Sequence, residues 1–563
     1  MFQLSPDVLE GNSFRSTGTL TTITAVEGDD TTMFQQSMNR RRMVQGGAGI
    51  AGASLLSLGK TASARPLNPE TYRLAAAQTL SGKVVIGING NPEDSVKAAL
   101  TAAYKQRQPD VELVWETALR PADEYVSWLG TQLAADPIEL DVVAGNYVAT
   151  YRGYVNMDQY RGTTNPYSEQ IWDADLNWDF FRGTNATGSR IMLPTRSVHI
   201  NWFFNQDLFD KAGVTAPPTT WDEFVAVSEK LDAAGITPVG INFIWQLPQW
   251  FSEIYFDQYH IDWVETVRAQ DGDWNYDPDL DGTFTFNAAD PFIHNTYTYS
   301  PQRFYKAVQD GTLRFDTPAI IEIITNFKKM FPQYATDDFF VTSDTYTKFL
   351  QQNVAILADG SWSLGQLRAD LAALSPERLA ELKIEPGSVS TFKWETFENP
   401  AMEGDLVKCA PRSVESATGE YVSVIEKDQA QTDLSMDFVM FWLSAEGYQA
   451  YLDAQWKEPG FSPGGPLQVR GVTVPEKESS LFDGLKELGN AEVNYTGFWV
   501  SGAGGQHLEN LHNLMSEALS SKITPEAYAK QLQAYHEKNF ADYLDLAQLT
   551  QEDLDDPARQ PGV

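Results

Sequence analysis

The chain has 563 residues, and its 41 Lys+Arg against 76 Asp+Glu leave a formal net charge of -35, which repels phosphate backbones and disfavours nucleic acid as a partner. Hydrophobic residues make up 42% and charged residues 21%, so the chain buries a core and is no disordered acidic polymer. One Cys excludes a disulfide framework, a cysteine zinc site and an iron–sulfur cluster, and six His leave little for a histidine metal site.

Residues 1–37 are polar and aperiodic, and are expected to be an unstructured leader. Asn39-Arg40-Arg41-Arg42-Met43-Val44 then precedes an apolar run over residues 46–58, and Ala62-Ser63-Ala64 supplies a small-x-small cleavage site. Paired arginines, one residue and two apolar positions form a twin-arginine signal peptide, expected over residues 38–64. The apolar run is shorter than the ~20 residues of a membrane span. Met38 stands directly before the motif and is expected to be the true start, with the mature chain beginning near Arg65. Cys409 is far from the cleavage site, so no lipid anchor is expected. The mature protein reads as soluble, in the periplasm or outside the cell.

The mature chain opens in α/β style. Lys83-Val84-Val85-Ile86-Gly87-Ile88 is a buried-strand signal. Asn91-Pro92-Glu93-Asp94 reads as a helix start, and Val96, Ala99, Leu100 and Tyr104 continue at helical spacing. Residues 111–115 alternate as a second strand, Tyr125, Val126, Leu129 and Leu133 mark a helix, and residues 140–144 a third strand. That order implies a parallel sheet, whose ligands sit beyond the carboxyl ends of its strands. A second such stretch follows. Residues 199–204 are strand-like, and Thr220-Trp221-Asp222-Glu223 is a capping box opening a helix with Trp221, Phe224, Val227 and Leu231 inward. Strands are expected at 239–243 and 421–425, residues 349–358 lead into Asp359-Gly360-Ser361-Trp362, and helix is expected at 434–443 and through most of the C-terminal third.

Trp202-Phe203-Phe204-Asn205-Gln206-Asp207-Leu208-Phe209-Asp210-Lys211-Ala212-Gly213-Val214, then Pro217-Pro218-Thr219-Thr220-Trp221-Asp222-Glu223-Phe224 and Gly235-Ile236-Thr237-Pro238, form one ordered series. With Asp141-Val142-Val143-Ala144-Gly145, Asp359-Gly360-Ser361-Trp362 and the helix from Met436 to Ser444, it resembles the extracellular solute-binding proteins of ABC importers, in their carbohydrate-binding, maltose-binding-protein-like group. Residues 245–304 and 471–500 depart from that pattern. The resemblance implies a two-lobed α/β fold, each lobe a sheet flanked by helices, with a helical C-terminal part. It divides the chain into one lobe of residues 65–197 and 388–446 and another of 198–387 and 447–563. It implies a sugar or oligosaccharide ligand, separate permease subunits, a monomer and no cofactor.

A sugar site needs hydrogen-bonding side chains beside aromatic faces. Asn89, Asn146, Tyr147, Trp245, Gln246 and Trp362 stand at the expected strand ends and loops and meet that need. Arg196, Ser197 and Val198 match the family's ligand-contacting turn between lobes, Trp245 matches a contact loop, and Trp362 matches its stacking tryptophan. Arg412, after Cys409-Ala410-Pro411, is a further candidate. Each has a plainer reading: a Trp in a large α/β protein is usually core, Asn89 can merely cap a turn, and Arg196 can pair with an acid. If Trp362 lies on a loop, Trp362→Ala should remove most binding and leave the melting profile nearly intact.

Enzyme motifs largely fail. Ser361-Trp362-Ser363-Leu364-Gly365 lacks the first glycine of a nucleophile elbow, and Gly59-Lys60-Thr61 lacks the first glycine of a phosphate loop. Asp277-Pro278-Asp279-Leu280-Asp281-Gly282 starts like a calcium loop, yet its twelfth position is Ala288, so a solvated acidic turn is the plainer reading. A glycosidase needs only two carboxylates, which leaves a secreted carbohydrate-active enzyme as the alternative to a binding protein that performs no chemistry.

Overall fold

The computed structural model describes residues 80–561 apart from 89–93, 117–121, 146–150, 152, 179–189, 343, 417–420, 459–460, 462, 481, 483–484 and 487. The expected leader and signal peptide lie outside the described residues, as do Asn89, Asn146 and Tyr147.

The first lobe begins with β1 (Ser81–Ile88), α1 (Asp94–Arg107), β2 (Asp110–Glu116), α2 (Ala122–Leu133) and β3 (Val142–Ala144). Val84, Ile86 and Ile88 are buried on β1, which pairs in parallel with β2 on one side and β3 on the other. The short β4 (Leu193–Pro194) leads into β5 (Val198–Asn205), whose eight residues are all buried. β5 is the middle of the second sheet. Both of its faces are covered, so it buries His199, Asn201 and Asn205 together with its apolar residues.

The second lobe follows the expected capping box. Thr220 accepts the Glu223 N–H and Glu223 accepts the Thr220 N–H at the start of α3 (Trp221–Ala233), which buries Trp221, Phe224, Val227 and Leu231. β6 is only Val239–Gly240; beyond it the Phe243 N–H donates to the Phe339 carbonyl, and the chain enters a π-helical turn, Gln246–Phe251, ahead of α4 (Ser252–His260). The apolar run 349–358 divides between a helix and a strand. Thr345–Leu350 is helical, Gln352 turns the chain at φ 60°, and β7 is Ile356–Gly360, continuing directly into α5 (Trp362–Ala372). Phe349 and Leu350 supply the apolar signal from the helix side of that turn, where they join a core with Leu357 and Leu367.

β8 (Trp394–Phe397) lies antiparallel to β5, so residues grouped by sequence with the first lobe belong to the second sheet. Phe397 stacks on Trp202 at 6.1 Å and 12°, which gives this strand its apolar partner. β9 (Glu415–Ser416) also pairs with β5, and only β10 (Tyr421–Val424) returns to the first sheet. α6 (Gln429–Trp442) and α7 (Ala445–Gln455) then complete the first core through Phe438, Phe441, Tyr448 and Leu452. Residues 447–455, expected in the second lobe, therefore pack in the first. The strand orders are β2-β1-β3-β10-β4 and β6-β7-β5-β8. The C-terminal helices Gln506–Leu519, Pro525–Lys538 and Phe540–Ala547 close the second core.

Candidate functional site

The registers decide where a ligand can meet both lobes. β1, β2 and β3 are parallel, so their carboxyl ends share one edge of the first sheet. At that edge the Gly145 N–H donates to the Tyr421 carbonyl at the start of β10, and Pro194 at the end of β4 lies beside Tyr421. In the second sheet Gly360, the last residue of β7, lies beside Ile200 near the start of β5. Successive in the chain, β4 and β5, and again β9 and β10, meet the carboxyl edges of the two sheets, so the chain passes twice from one sheet to the other. A third passage runs alongside, with Leu467 bridged to Arg196 and Val469 to Leu176. Binding sites of open α/β sheets form beyond such edges.

Trp362 stands on the second-lobe side of this junction. It is the first residue of α5, not part of a loop, because β7 runs straight into the helix. Its ring lies back across Gly360, where a Cβ would come within 2.1 Å of the indole. Trp250 meets Trp362 at 5.7 Å between ring centroids and Trp245 at 4.2 Å, edge to face with the latter. Trp362 is 7% exposed. The indole N–H groups of Trp250 and Trp362 and the Gln249 amide nitrogen are buried without a hydrogen-bond partner. Trp172 and Trp442 in the first core share that condition, so an orphaned indole alone marks no site; the position at a carboxyl edge distinguishes this group.

Gln246 has another task. Asn242 Oδ1 accepts the N–H groups of Trp245 and Gln246 at 3.0 and 3.1 Å, and Gln246 Oε1 accepts the Asn242 N–H at 2.8 Å. Its Nε2 donates to the Ala358 carbonyl at 2.8 Å, tying the π-helical turn to β7. Arg196 and Ser197 occupy the passage between the sheets, but their side chains face protein. Arg196 donates to Gln455 Oε1 at 2.7 Å, to the Tyr448 hydroxyl and to the Pro463 carbonyl, over the ring of Phe461. Ser197 Oγ accepts from Gln468 Nε2 at 3.0 Å and lies 3.4 Å from His199. Burial holds the His199 imidazole down at about 4, so it is neutral at neutral pH.

Arg412 is buried away from this group. Its Nη1 donates to Asp257 Oδ2 at 2.7 Å, its Nη2 to the Asp290 carbonyl at 2.6 Å and its Nε to the Pro291 carbonyl. Asp257 also holds His294 Nε2 at 2.7 Å. Burial alone would raise the Asp257 carboxyl, but the His294 and Arg412 charges outweigh it and keep it below the usual range.

Trp250 and Gln249 went unmarked in the sequence. Asn242 four residues ahead of Gln246 was the available signal, because that spacing lets the two side chains cap one turn reciprocally. Glu253, three residues after Trp250, was also missed. Burial and the neighbouring Glu492 push its carboxyl well above the usual range. Ser363 of the near-elbow donates to Asp359 Oδ2 at 2.8 Å and serves its own helix start. In the acidic turn Asp277 Oδ1 accepts the Asp279 N–H, and Asp281 accepts the N–H groups of Asp277 and Thr298, so these carboxylates hold backbone. Among the described residues no group of three or more His, Cys, Asp or Glu is placed to hold a metal ion, and no helix is long and apolar enough to cross a membrane.

Residues 89–449 match the family model of the bacterial extracellular solute-binding protein. A probable sugar-binding periplasmic protein of Mesorhizobium japonicum is 27% identical over 121 residues, a stretch covering 20% of this chain and 29% of that relative. The crystal structure of the cyclic alpha-maltosyl-1,6-maltose binding protein of Arthrobacter globiformis superposes with a TM-score of 0.50 at 14% identity, over 82% of this chain and 100% of that one. A family 1 extracellular solute-binding protein of Bifidobacterium longum subsp. infantis superposes with a TM-score of 0.51 at 14% identity, over 81% and 98%. At that identity the likeness is one of fold, and it agrees with the two sheets joined at their carboxyl edges. Matched over more than half of its length, the chain belongs to the bacterial extracellular solute-binding protein family.

Proposed function

We propose that the protein is the extracytoplasmic substrate-binding component of an ABC transporter, which captures a sugar or oligosaccharide between its lobes and delivers it to a membrane permease. One observation carries the reading: Trp245, Trp250 and Trp362 cluster at the carboxyl edge of the second sheet, and two of their indole N–H groups lack acceptors. Sugar hydroxyls accept such donors, and sugar C–H faces pack on indole rings. Asn89, Asn146 and Tyr147 would supply the opposing polar groups from the ends of β1 and β3. The ligand favours the closed arrangement of the lobes, since one that bound both arrangements equally would shift neither. The chain performs no chemistry, acts as a monomer, and reaches the cell exterior through its twin-arginine signal.

The test is a glycan panel, followed by intrinsic tryptophan fluorescence and by release of reducing ends. Sugar-dependent quenching without product is expected; catalytic turnover would sink the reading. Glu253 and Glu492 favour a second reading, a secreted glycosidase. A carboxyl raised well above the usual range by burial and by a neighbouring carboxylate is the arrangement of a general acid and its partner. On that reading Glu253→Gln abolishes reducing-end release, whereas a binding protein releases none in either form.

A further inference from the structure

A ligand between two lobes changes their angle only if some group ties the binding surface to the passages that bend. Ser361 is placed to do so. It separates Gly360, across which the Trp362 ring lies, from Trp362 itself, and it is fully buried. Its N–H donates to the His199 carbonyl at 2.8 Å, and its Oγ accepts the His199 N–H at 3.2 Å. This two-way clamp fixes Ser361 to the start of β5, directly after the first passage, where β9 also pairs. The same Oγ donates to the Gly464 carbonyl at 2.6 Å, on the third passage. One hydroxyl thus ties the start of β5 to the third passage and sits next to the tryptophan.

The third passage is built to come this close. Gly464 has φ +74°, where a side chain would be strained. At Gly465 a Cβ would lie 1.9 Å from the Ser197 carbonyl and 3.0 Å from Ser361 Oγ. The Ser197 N–H donates to the Pro466 carbonyl, and Gln468 Nε2 donates to Ser197 Oγ. A shift of residues 360–362 relative to the third passage therefore stretches or releases the Ser361–Gly464 bond.

We infer that Ser361 is the positioning residue that couples occupancy of the Trp362 surface to the angle between the lobes, through its hydrogen bond to Gly464. The inference rests on the sugar-binding reading for its ligand, but not for the bond. Ser361→Ala and the nearly isosteric Ser361→Cys, a weak donor, remove the link; Ser361→Thr keeps the hydroxyl. With raffinose and maltotriose as probes, Ser361→Ala and Ser361→Cys should bind about tenfold more weakly and lose the ligand-induced contraction seen by small-angle X-ray scattering. Ser361→Thr should regain both. Variants that bind and contract as the parent protein does would overturn the inference. If neither sugar changes the fluorescence of the parent protein, the sugar reading fails for these probes, and ligand-free scattering still decides. Broader lobe-angle distributions in the Ala and Cys variants support the coupling, and distributions identical to the parent's overturn it.

Discussion

Asp257 and Arg412 carry opposite charges where both side chains are buried, and each satisfies the other. Removing one member leaves the second charged and dry. Asp257→Asn should therefore cost about 3–5 kcal/mol of stability, read from the urea midpoint, while sugar affinity of the folded protein stays unchanged. Trp362 presents the reverse case, since it belongs to the proposed site and to the core together. Its burial alters the expectation drawn from sequence. Trp362→Ala should lower sugar affinity and also destabilise by about 3–5 kcal/mol, whereas Trp362→Phe should keep most of the stability and lose only part of the affinity. An unchanged sugar Kd in Trp362→Ala would remove the ring from the site.

Elements far apart in sequence are fastened by single polar side chains. Gln302 Nε2 donates to the carbonyls of Asp553, Asp556 and Arg559, and its Oε1 accepts the Trp274 indole N–H at 2.6 Å. The Trp274 backbone N–H donates to the Pro557 carbonyl. The C-terminal helix Gln551–Asp555 is thereby held on the segment around residues 274–302. Gln302→Leu should cost about 1–3 kcal/mol and speed hydrogen exchange at residues 550–560 before the rest of the second lobe. Uniform exchange across that lobe would show that the segment unfolds only with the whole. Some such devices were legible in sequence. The Thr220–Glu223 capping box opens its helix as read, because cap and partner lie within one turn. β8 was assigned to the wrong lobe by sequence, because its partner β5 lies nearly two hundred residues earlier and no local pattern names it.

Five of the histidines give the molecule a pH-dependent contribution to its stability. His199, His260 and His512 are held down at about 4 and His536 at about 3, in each case chiefly by burial, and His507 is shifted the same way. Their folded values lie below the unfolded one, ~6.5, so unfolding takes up protons between the two. Stability is fully present above about pH 6.5 and falls as pH drops toward 4. Urea midpoints measured from pH 8 to pH 4 should show that decline; a flat profile would mean these imidazoles titrate normally. The net charge of -35 acts over longer distances. Its self-repulsion weakens as the screening length falls from about 10 Å at 0.1 M salt to about 3 Å at 1 M. The Tm should therefore rise with added sodium chloride, and a fall would show that the surface ion pairs outweigh the excess of acid.

By itself the sequence determined the kind of elements, the parallel opening of the first lobe and the family, because periodicity, caps and ordered motifs are local. Tertiary structure decided which polar side chains are spent on partners within the protein. Arg196 finds Gln455 across 259 positions and Arg412 finds Asp257 across 155, and neither partner announces itself in sequence. Buried donors take the nearest acceptor in space, since leaving one unpaired costs about 1–3 kcal/mol. The fold thus turned Arg196, Ser197, Gln246 and Arg412 inward, and left the indole N–H groups of Trp250 and Trp362 without an acceptor.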